Sequence, residues 1–301
     1  MSNIIVAFIA YMIDHLFGEF RLIRHPVIMM GDIILWFEKH FYRNSVLRGF
    51  CLLLFMLMIT ALTAYGIDYL LTLLPKALYI MATAIIASMF LAHHMLYRAV
   101  LELTTAKKPQ DNLAMLVSRD TADLSDSDIS KAGIETYAEN LSDGVVAPLF
   151  YLLTFGLIGI MLYKVINTLD SMVGYRTSKY EKFGKASALL DDLVNFIPAR
   201  LTAMMIMLVS KPYRLFSFYR QGKKHKSPNA GHPITAMALA IGIKLGGPTR
   251  YFNQLEDKAF FGEGREDLEK NDIVKCLKIG KKVDFFIVLL LFLASFSTFF
   301  F

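Results

Sequence analysis

Residues 49–65, GFCLLLFMLMITALTAY, and 77–97, ALYIMATAIIASMFLAHHMLY, are near-continuous apolar runs separated by a short turn that holds Asp68 and Pro75. A bilayer with roughly 30 Å of hydrocarbon asks for about 20 apolar residues per helix, so the pair reads as a transmembrane helical hairpin. A third run, 144–163, meets the same length, and a fourth, 283–301, carries one early charge, Asp284. Two shorter runs, 4–13 and 197–209, suit tilted, re-entrant or interfacial helices. The run at 4–13 has neither a basic stretch before it nor a small-residue cleavage site after it, so it reads as retained. Period-two alternation is scarce and the polar segments keep helical spacing. The expected fold is therefore all-α, a polytopic membrane protein with about four to six embedded helices. It is expected to form a single domain, 1–301, whose polar segments 98–143, 164–196 and 210–282 make the active-site face.

Composition agrees. Of 301 residues, 55% are hydrophobic and 19% charged, and the mean hydropathy is +0.46, too oily for an ordinary soluble domain. Two cysteines, Cys51 and Cys276, without ligand-like neighbours exclude a disulfide scaffold and read as free thiols. The +6 formal charge, in an oily chain, points to membrane surfaces and anionic ligands rather than nucleic acid. Between 210 and 232 lie Lys211, Arg214, Arg220, Lys223, Lys224 and Lys226 with no carboxylate, which places that segment on the cytoplasmic side. Anchoring to anionic lipid head groups and ligand binding both suit these side chains.

Four polar stretches could carry chemistry. Within KAGIETYAENLSDG, 131–144, Lys131, Glu135, Glu139 and Asp143 recur every four residues. Carboxylates so spaced repel, and either a divalent cation or a basic partner would relieve them; a solvated ladder headed by a Lys131–Glu135 pair is the bland alternative. The stripe runs into an apolar segment, where charge is costly unless it faces a polar cavity. In the segment 167–200, Asn167, Asp170, Ser171 and Gly174 share one helical face. Asp191 with Asn195, and Asp192 with Arg200, form neighbouring stripes that either pair structurally or serve chemistry. Around 227–248, Asn229 and Gly231 make a turn and Pro233 fits a first helical position, giving either a plain cap or an anion site. His232 has no second histidine at ligand spacing. Near the amino end, Arg21, Arg24 and His25-Pro26 read as a juxtamembrane basic anchor. Walker, GxGxxG, CxxC and HExxH signatures are missing.

Together these stretches resemble the adenosylcobinamide-phosphate synthase family of cobalamin biosynthesis. The matching pieces are HPV with Gly31, SRDT at 118–121, ETYAENLSDGVVAPLF at 135–150, NTLDSMVGYRTSKYEKFG at 167–184, LDDLVNFIPARL at 190–201, and SPNAGHP with LGGP. They keep the family's order across most of 14–251. The chain departs from the family at Gly18-Glu19-Phe20, where Gly-Asp-Pro is usual, at Ser118, where Gly is usual, and after Tyr251.

The resemblance implies ATP- and Mg2+-dependent amide formation. The product, adenosylcobinamide phosphate, would arise from adenosylcobyric acid and (R)-1-amino-2-propanol O-phosphate or ethanolamine phosphate. For such a reaction, Glu135, Glu139 and Asp143 are expected to hold Mg2+ or the substrate ammonium, and Asp170 with Asp191 or Asp192 to supply a second acidic group and base. Arg119, Arg176 and Arg200, with Asn140, Asn229 and Gly231, would bind substrate and phosphate. The expected partners are the corrinoid, the amino-alcohol phosphate and membrane lipid, with self-association or association with other cobalamin-assembly enzymes. The expected location is the cell membrane, the active site facing cytoplasmic ATP. The rival reading is a non-catalytic transporter, corrinoid-binding scaffold or sensor, although a transporter should show two symmetric halves and none is visible.

Overall fold

The structure, a computed structural model, describes residues 2–18, 20, 24–117, 120–175, 177–251, 254–256 and 259–300. Along the chain run α1 (Ser2–Phe17), α2 (Pro26–Phe41), α3 (Val46–Thr72), α4 (Lys76–Ser88), α5 (His93–Thr105), α6 (Pro109–Ala114) and α7 (Asp126–Leu141). A π-turn, Ser142–Val146, leads into α8 (Ala147–Val173), followed by α9 (Lys185–Val194), α10 (Phe196–Ser210), α11 (Phe218–Gly222) and α12 (Gly231–Ile241). Four three-residue strands then precede α13 (Lys270–Phe300): β1 (Lys244–Gly246), β2 (Thr249–Tyr251), β3 (Gln254–Glu256) and β4 (Phe260–Gly262). They pair antiparallel as β1–β4 and β2–β3 and are the described departure from an all-helical chain.

Among the described residues, three stretches are long and apolar enough to cross a membrane: Val46–Thr72, Lys76–Thr105 and Asp126–Val173. A fourth is added if α9 and α10 make one broken span. The hairpin break falls where Pro75 cannot continue α3 and instead stands at the N-cap of α4. The expected run at 144–163 is one chain segment but not one straight helix, because Gly156 takes φ 65° and ends a helix inside α8. That conformation suits glycine. Asn3 Nδ2 donates to Leu153 O at 3.4 Å, meeting one carbonyl that the break sets free.

The chain divides into two compact units. The first comprises Met1–Ala92, Ala147–Asn195 and Leu291–Phe301. Here α1 packs on α4 and α8 through small buried side chains, Ala7, Ala10, Ala84 and Ala87, which let helices approach closely. Helix α3 packs on α8 and α9, and a β-carbon added to Gly49 would overlap Phe183 O and lie 2.7 Å from its carbonyl carbon. The outer face of α3 shows Leu47, Leu54, Met58, Leu62 and Tyr65. Such an apolar surface suits lipid better than water. The loop 174–184 closes on itself at Val173 and Gly184. Its tip is fastened by Tyr42 Oη to Lys179 O (2.8 Å), Asn44 Nδ2 to Ser178 O (3.1 Å), and Tyr180 Oη to Glu38 Oε1 (2.9 Å).

The second unit comprises His93–Val146 and Phe196–Leu290. Its centre is α7 and α12, each buried along most of its length, with α5, α10, α11 and the first turns of α13 around them. Ser125 caps α7 by accepting from Asp128 N–H at 3.1 Å, and Asp126 and Asp128 suit the positive end of the helix. Asp272, fully buried, accepts from Glu269 N–H (2.9 Å), Arg265 (2.5 Å) and Lys275 (3.1 Å), which fixes the start of α13. Cys276 is buried and unbridged beside it, and Cys51 is exposed and unbridged, as the sequence implied.

Candidate active site

Each unit carries one polar face built from the blocks that the sequence singled out, and each is described by itself. In the second unit, Glu135, Glu139, Asn140 and Asp143 lie half-buried where α7 passes into the π-turn. Such turns are rare and frequent at functional sites. Glu135 Oε1 accepts from Gly246 N–H at 2.7 Å, so the acid ties helix α7 to the end of β1, where the LGGP segment begins to turn. Asn140 Nδ2 turns back to Thr136 O at 3.0 Å.

Also in this unit, Arg200 on α10 donates to Phe196 O (2.7 Å), Asn229 Oδ1 (3.2 Å) and Pro228 O (3.2 Å), and lies over the Phe196 ring. The guanidinium is thus held against the SPNAGHP turn from 28–29 residues away. The turn before α12 has its own cap: Ser227 Oγ accepts from the N–H groups of Asn229 and Ala230 at 3.2 and 3.3 Å. Those two donors are therefore already engaged, and the cationic character of the turn comes from Arg200 and Lys223, the latter over the Tyr219 ring at 4.3 Å. His232 is fully buried, stacked on Tyr219 and edge-on to Phe218, with no hydrogen bond at either ring nitrogen. Burial, then the charges of Arg200, Lys223 and His225, push its pKa down to about 4, so it is a neutral ring at physiological pH.

In the first unit, Asp170 stands in the last turn of α8, and Asp191 and Asp192 lie near the end of α9. Gly174 leaves room for the Asp170 side chain. A β-carbon there would overlap Asp170 Oδ1 and lie 2.8 Å from its Cγ. The three carboxylates are near enough to act on one another electrostatically, and the side chains of Asn167 and Asn195 face Asp191. Asn195 Oδ1 accepts from Tyr163 Oη at 2.9 Å, fixing the amide. Neither helix has a basic residue in its last turn.

Of the residues picked from sequence, the structure groups Glu135, Glu139, Asn140 and Asp143 along one segment of the second unit and joins Arg200 to Asn229 beside Gly231. It groups Asp170, Asp191 and Asp192 in the first unit. Arg119 and Arg176 lie outside the described residues. Sequence reading missed Ser187, which is buried one turn before Asp191, and Tyr163. The four-residue step Ser187–Asp191–Asn195 carried the signal for the first; Tyr163 sits in an apolar run with nothing polar nearby to mark it.

Residues 7–280 match the protein-family model described as CobD/Cbib protein. The chain is 36% identical over 294 residues to the cobalamin biosynthesis protein CobD of Clostridium perfringens, covering 92% of this chain and 93% of that one. It is 36% identical to the protein of the same name from Halalkalibacterium halodurans, covering 98% and 97%. It is 37% identical to a probable cobalamin biosynthesis protein CobD of Pyrococcus furiosus, covering 81% and 85%. No solved structure matches the chain.

Proposed function

The chain belongs to the CobD/Cbib protein family, and from that footing we propose that it makes an amide bond in cobalamin biosynthesis, joining adenosylcobyric acid to an amino-alcohol phosphate at the expense of ATP. A carboxylate has too poor a leaving group to react with an amine. In the proposed sequence the corrinoid carboxylate takes the γ-phosphoryl group of ATP, releasing ADP. The amine then attacks the acyl carbon, inorganic phosphate leaves, and the amine's proton passes to a base.

The residues divide accordingly. Glu135, Glu139 and Asp143 carry oxygen donors of the kind magnesium takes and are proposed to hold it. Bound there, magnesium would offset phosphate charge. Arg200, pre-aimed by Asn229 and Pro228, would hold a phosphate as a fixed fork. Arg119 and Arg176 are proposed for the same duty. Asp170 with Asp191 or Asp192 would take the proton from the ammonium. The proposed location is the cell membrane, with this chemistry facing cytoplasmic ATP.

The observation that carries the reading is that blocks 135–143, 167–192 and 200–231 place acids and an arginine half-buried among apolar helices. There they cost stability unless they are used. The test uses purified protein with ATP. Phosphate release should require both adenosylcobyric acid and the amine phosphate, and mass spectrometry of the corrinoid formed from competing amines should identify the preferred arm. Glu139→Gln keeps the shape and removes the charge, and turnover equal to the parent's would remove that residue from the reaction.

A further inference from the structure

The segment 211–226, KPYRLFSFYRQGKKHK, follows directly on α10 and contains no carboxylate. Helix α10 indicates what surrounds that junction. Ile197, Leu201 and Leu208 are exposed and lie on one face of it, and from Leu201 to Ser210 the chain carries no charged residue. An apolar stripe that stays open to within two residues of the helix end is a surface for lipid chains. Lys211, the first charged residue past it, then stands where hydrocarbon gives way to head groups.

The segment is held in one shape. Lys211 Nζ donates to Leu239 O in the last turn of α12 at 2.7 Å, and Arg214 makes a two-pronged bond to Glu263 at 2.7 and 2.9 Å. The Arg214 N–H donates to Lys211 O and the Ser217 N–H to Arg214 O, each at 2.9 Å, so tight turns follow one another. Side chains three apart in such turns lie over one another, and the pair turned outward is Tyr213 and Phe216, 80% and 67% exposed. Helix α11 then buries Phe218 and leaves Arg220 exposed, with Lys224 and Lys226 exposed just beyond. In water, rings so displayed forgo the gain of burial. Beside a helix already in lipid, they reach the layer where aromatic side chains collect.

Arg214 is neutralised by Glu263, Lys211 is spent on a carbonyl and Lys223 lies over Tyr219, so the charge presented outward is that of Arg220, Lys224 and Lys226. We infer that Tyr213 and Phe216, with Arg220, Lys224 and Lys226, form a docking surface for anionic phospholipid head groups of the bilayer that α10 enters. The rings seat among the upper acyl chains while the cations, on apolar stems, meet lipid phosphates. A dissolved phosphate would satisfy the charges and leave both rings in water, and the continuity of the rings with the apolar stripe of α10 decides for the bilayer. This surface does not rest on the ligase reading, and Arg200 and Lys223 at the turn before α12 are not part of it.

The test needs neither ATP nor corrinoid. Trp36 is the chain's single tryptophan, so Trp36→Phe combined with Phe216→Trp leaves one emitting indole, on the proposed surface. Full-length protein is placed in nanodiscs of phosphatidylcholine, with or without phosphatidylglycerol, each containing brominated-chain lipid as quencher. With phosphatidylglycerol the emission should shift to the blue and be quenched severalfold more than without it. Molar salt, which shortens the screening length to about 3 Å, should remove the difference. Each basic side chain near an anionic surface strengthens attachment roughly fivefold, so adding Arg220→Gln and Lys224→Gln should abolish the phosphatidylglycerol response. Because a variant can fail to fold, the unaltered protein is read as well: an amine-acylating reagent, mapped by mass spectrometry, should modify Lys224 and Lys226 severalfold more slowly in phosphatidylglycerol discs. Emission and acylation indifferent to phosphatidylglycerol would overturn the inference. So would the same shift and protection produced in phosphatidylcholine discs by inorganic phosphate, the mark of a free-anion site, or by polyglutamate, the mark of a site for acidic protein. Ligase turnover could still be observed in each of these cases.

Discussion

Replacing Gly49 by alanine while keeping the rest of α3 unchanged isolates one contact. The added methyl carbon would overlap Phe183 O, lie 2.7 Å from Phe183 C and 3.2 Å from its Cα. All three atoms are backbone, so no rotamer change can clear them. Restoring ordinary carbon contacts asks α3 and the segment leading into α9 to part by about 1 Å, a gap that forfeits much of the attraction between the surfaces. Overpacking of this kind costs about 1–3 kcal/mol, or more where the backbone is the obstacle. Gly66, in the same helix, has nothing within 4 Å of its would-be β-carbon. Gly66→Ala should therefore be neutral or gain up to roughly 1 kcal/mol from helix propensity. The assay is thermal unfolding in one detergent, followed by loss of monodisperse protein on heating. The expectation is that Gly49→Ala melts lower by on the order of 5 °C and Gly66→Ala does not. If both variants melt with the parent, the close approach of α3 to Phe183 is not part of the folded protein.

Acid should reveal His232. The native ring stays neutral down to about pH 4, whereas an unfolded histidine takes up a proton near pH ~6.5, so acid favours the unfolded chain and stability should fall across that window. His232→Phe keeps a ring between Phe218 and Tyr219 and should flatten this part of the melting-temperature profile. Asp272 also loses its stabilisation in acid, at lower pH. Burial opposes its charge, but the Glu269 N–H, Lys275 and Arg265 outweigh that and hold its pKa below the usual carboxylate value. Its stabilisation is present above about pH 4 and lost as pH drops through the depressed value, and Asp272→Ala should cost about 1–3 kcal/mol at neutral pH, read by the same melts. Under the proposed activity, Arg200→Lys should raise the KM for the phosphorylated amine on the order of tenfold, since a point charge replaces a fork; an unchanged KM would remove Arg200 from substrate binding. Lys224→Cys, with Cys51 replaced by serine, should react with an impermeant thiol reagent only from the cytoplasmic face of oriented vesicles.

How far the sequence could be read depended on the range of the interaction. The helical hairpin of α3 and α4 follows from two apolar runs and Pro75, features confined to neighbouring residues. So does the acidic stripe of α7, which needs only helical spacing. The break at Gly156 did not announce itself, because an isolated glycine in an apolar run is compatible with an unbroken helix; Asn3, 150 residues away, helps to satisfy the broken end. The commitment of Glu135 to Gly246 spans 111 residues, and the hold of Arg200 on Asn229 spans 29. No local spacing announces partners that far apart. The short strands between 244 and 262 were hidden for another reason: three residues are too few for alternation to register. That Ser187 is fully buried depends on packing, which one chain's pattern of letters does not specify.

The fastening of the 174–184 loop has a bearing on inheritance. Its tip is gripped by Glu38, Tyr42 and Asn44, side chains separated from it by more than a hundred positions of chain. The Tyr42 and Asn44 bonds end on backbone carbonyls that any residue supplies, but Tyr180 and Glu38 meet side chain to side chain, so those two positions should drift in concert, and a crossover anywhere between codons 45 and 173 would join a clasp from one lineage to a buckle from another. Chimaeras of diverged relatives spliced within that interval should yield poorly folded first units, and exchanging both stretches together should restore them.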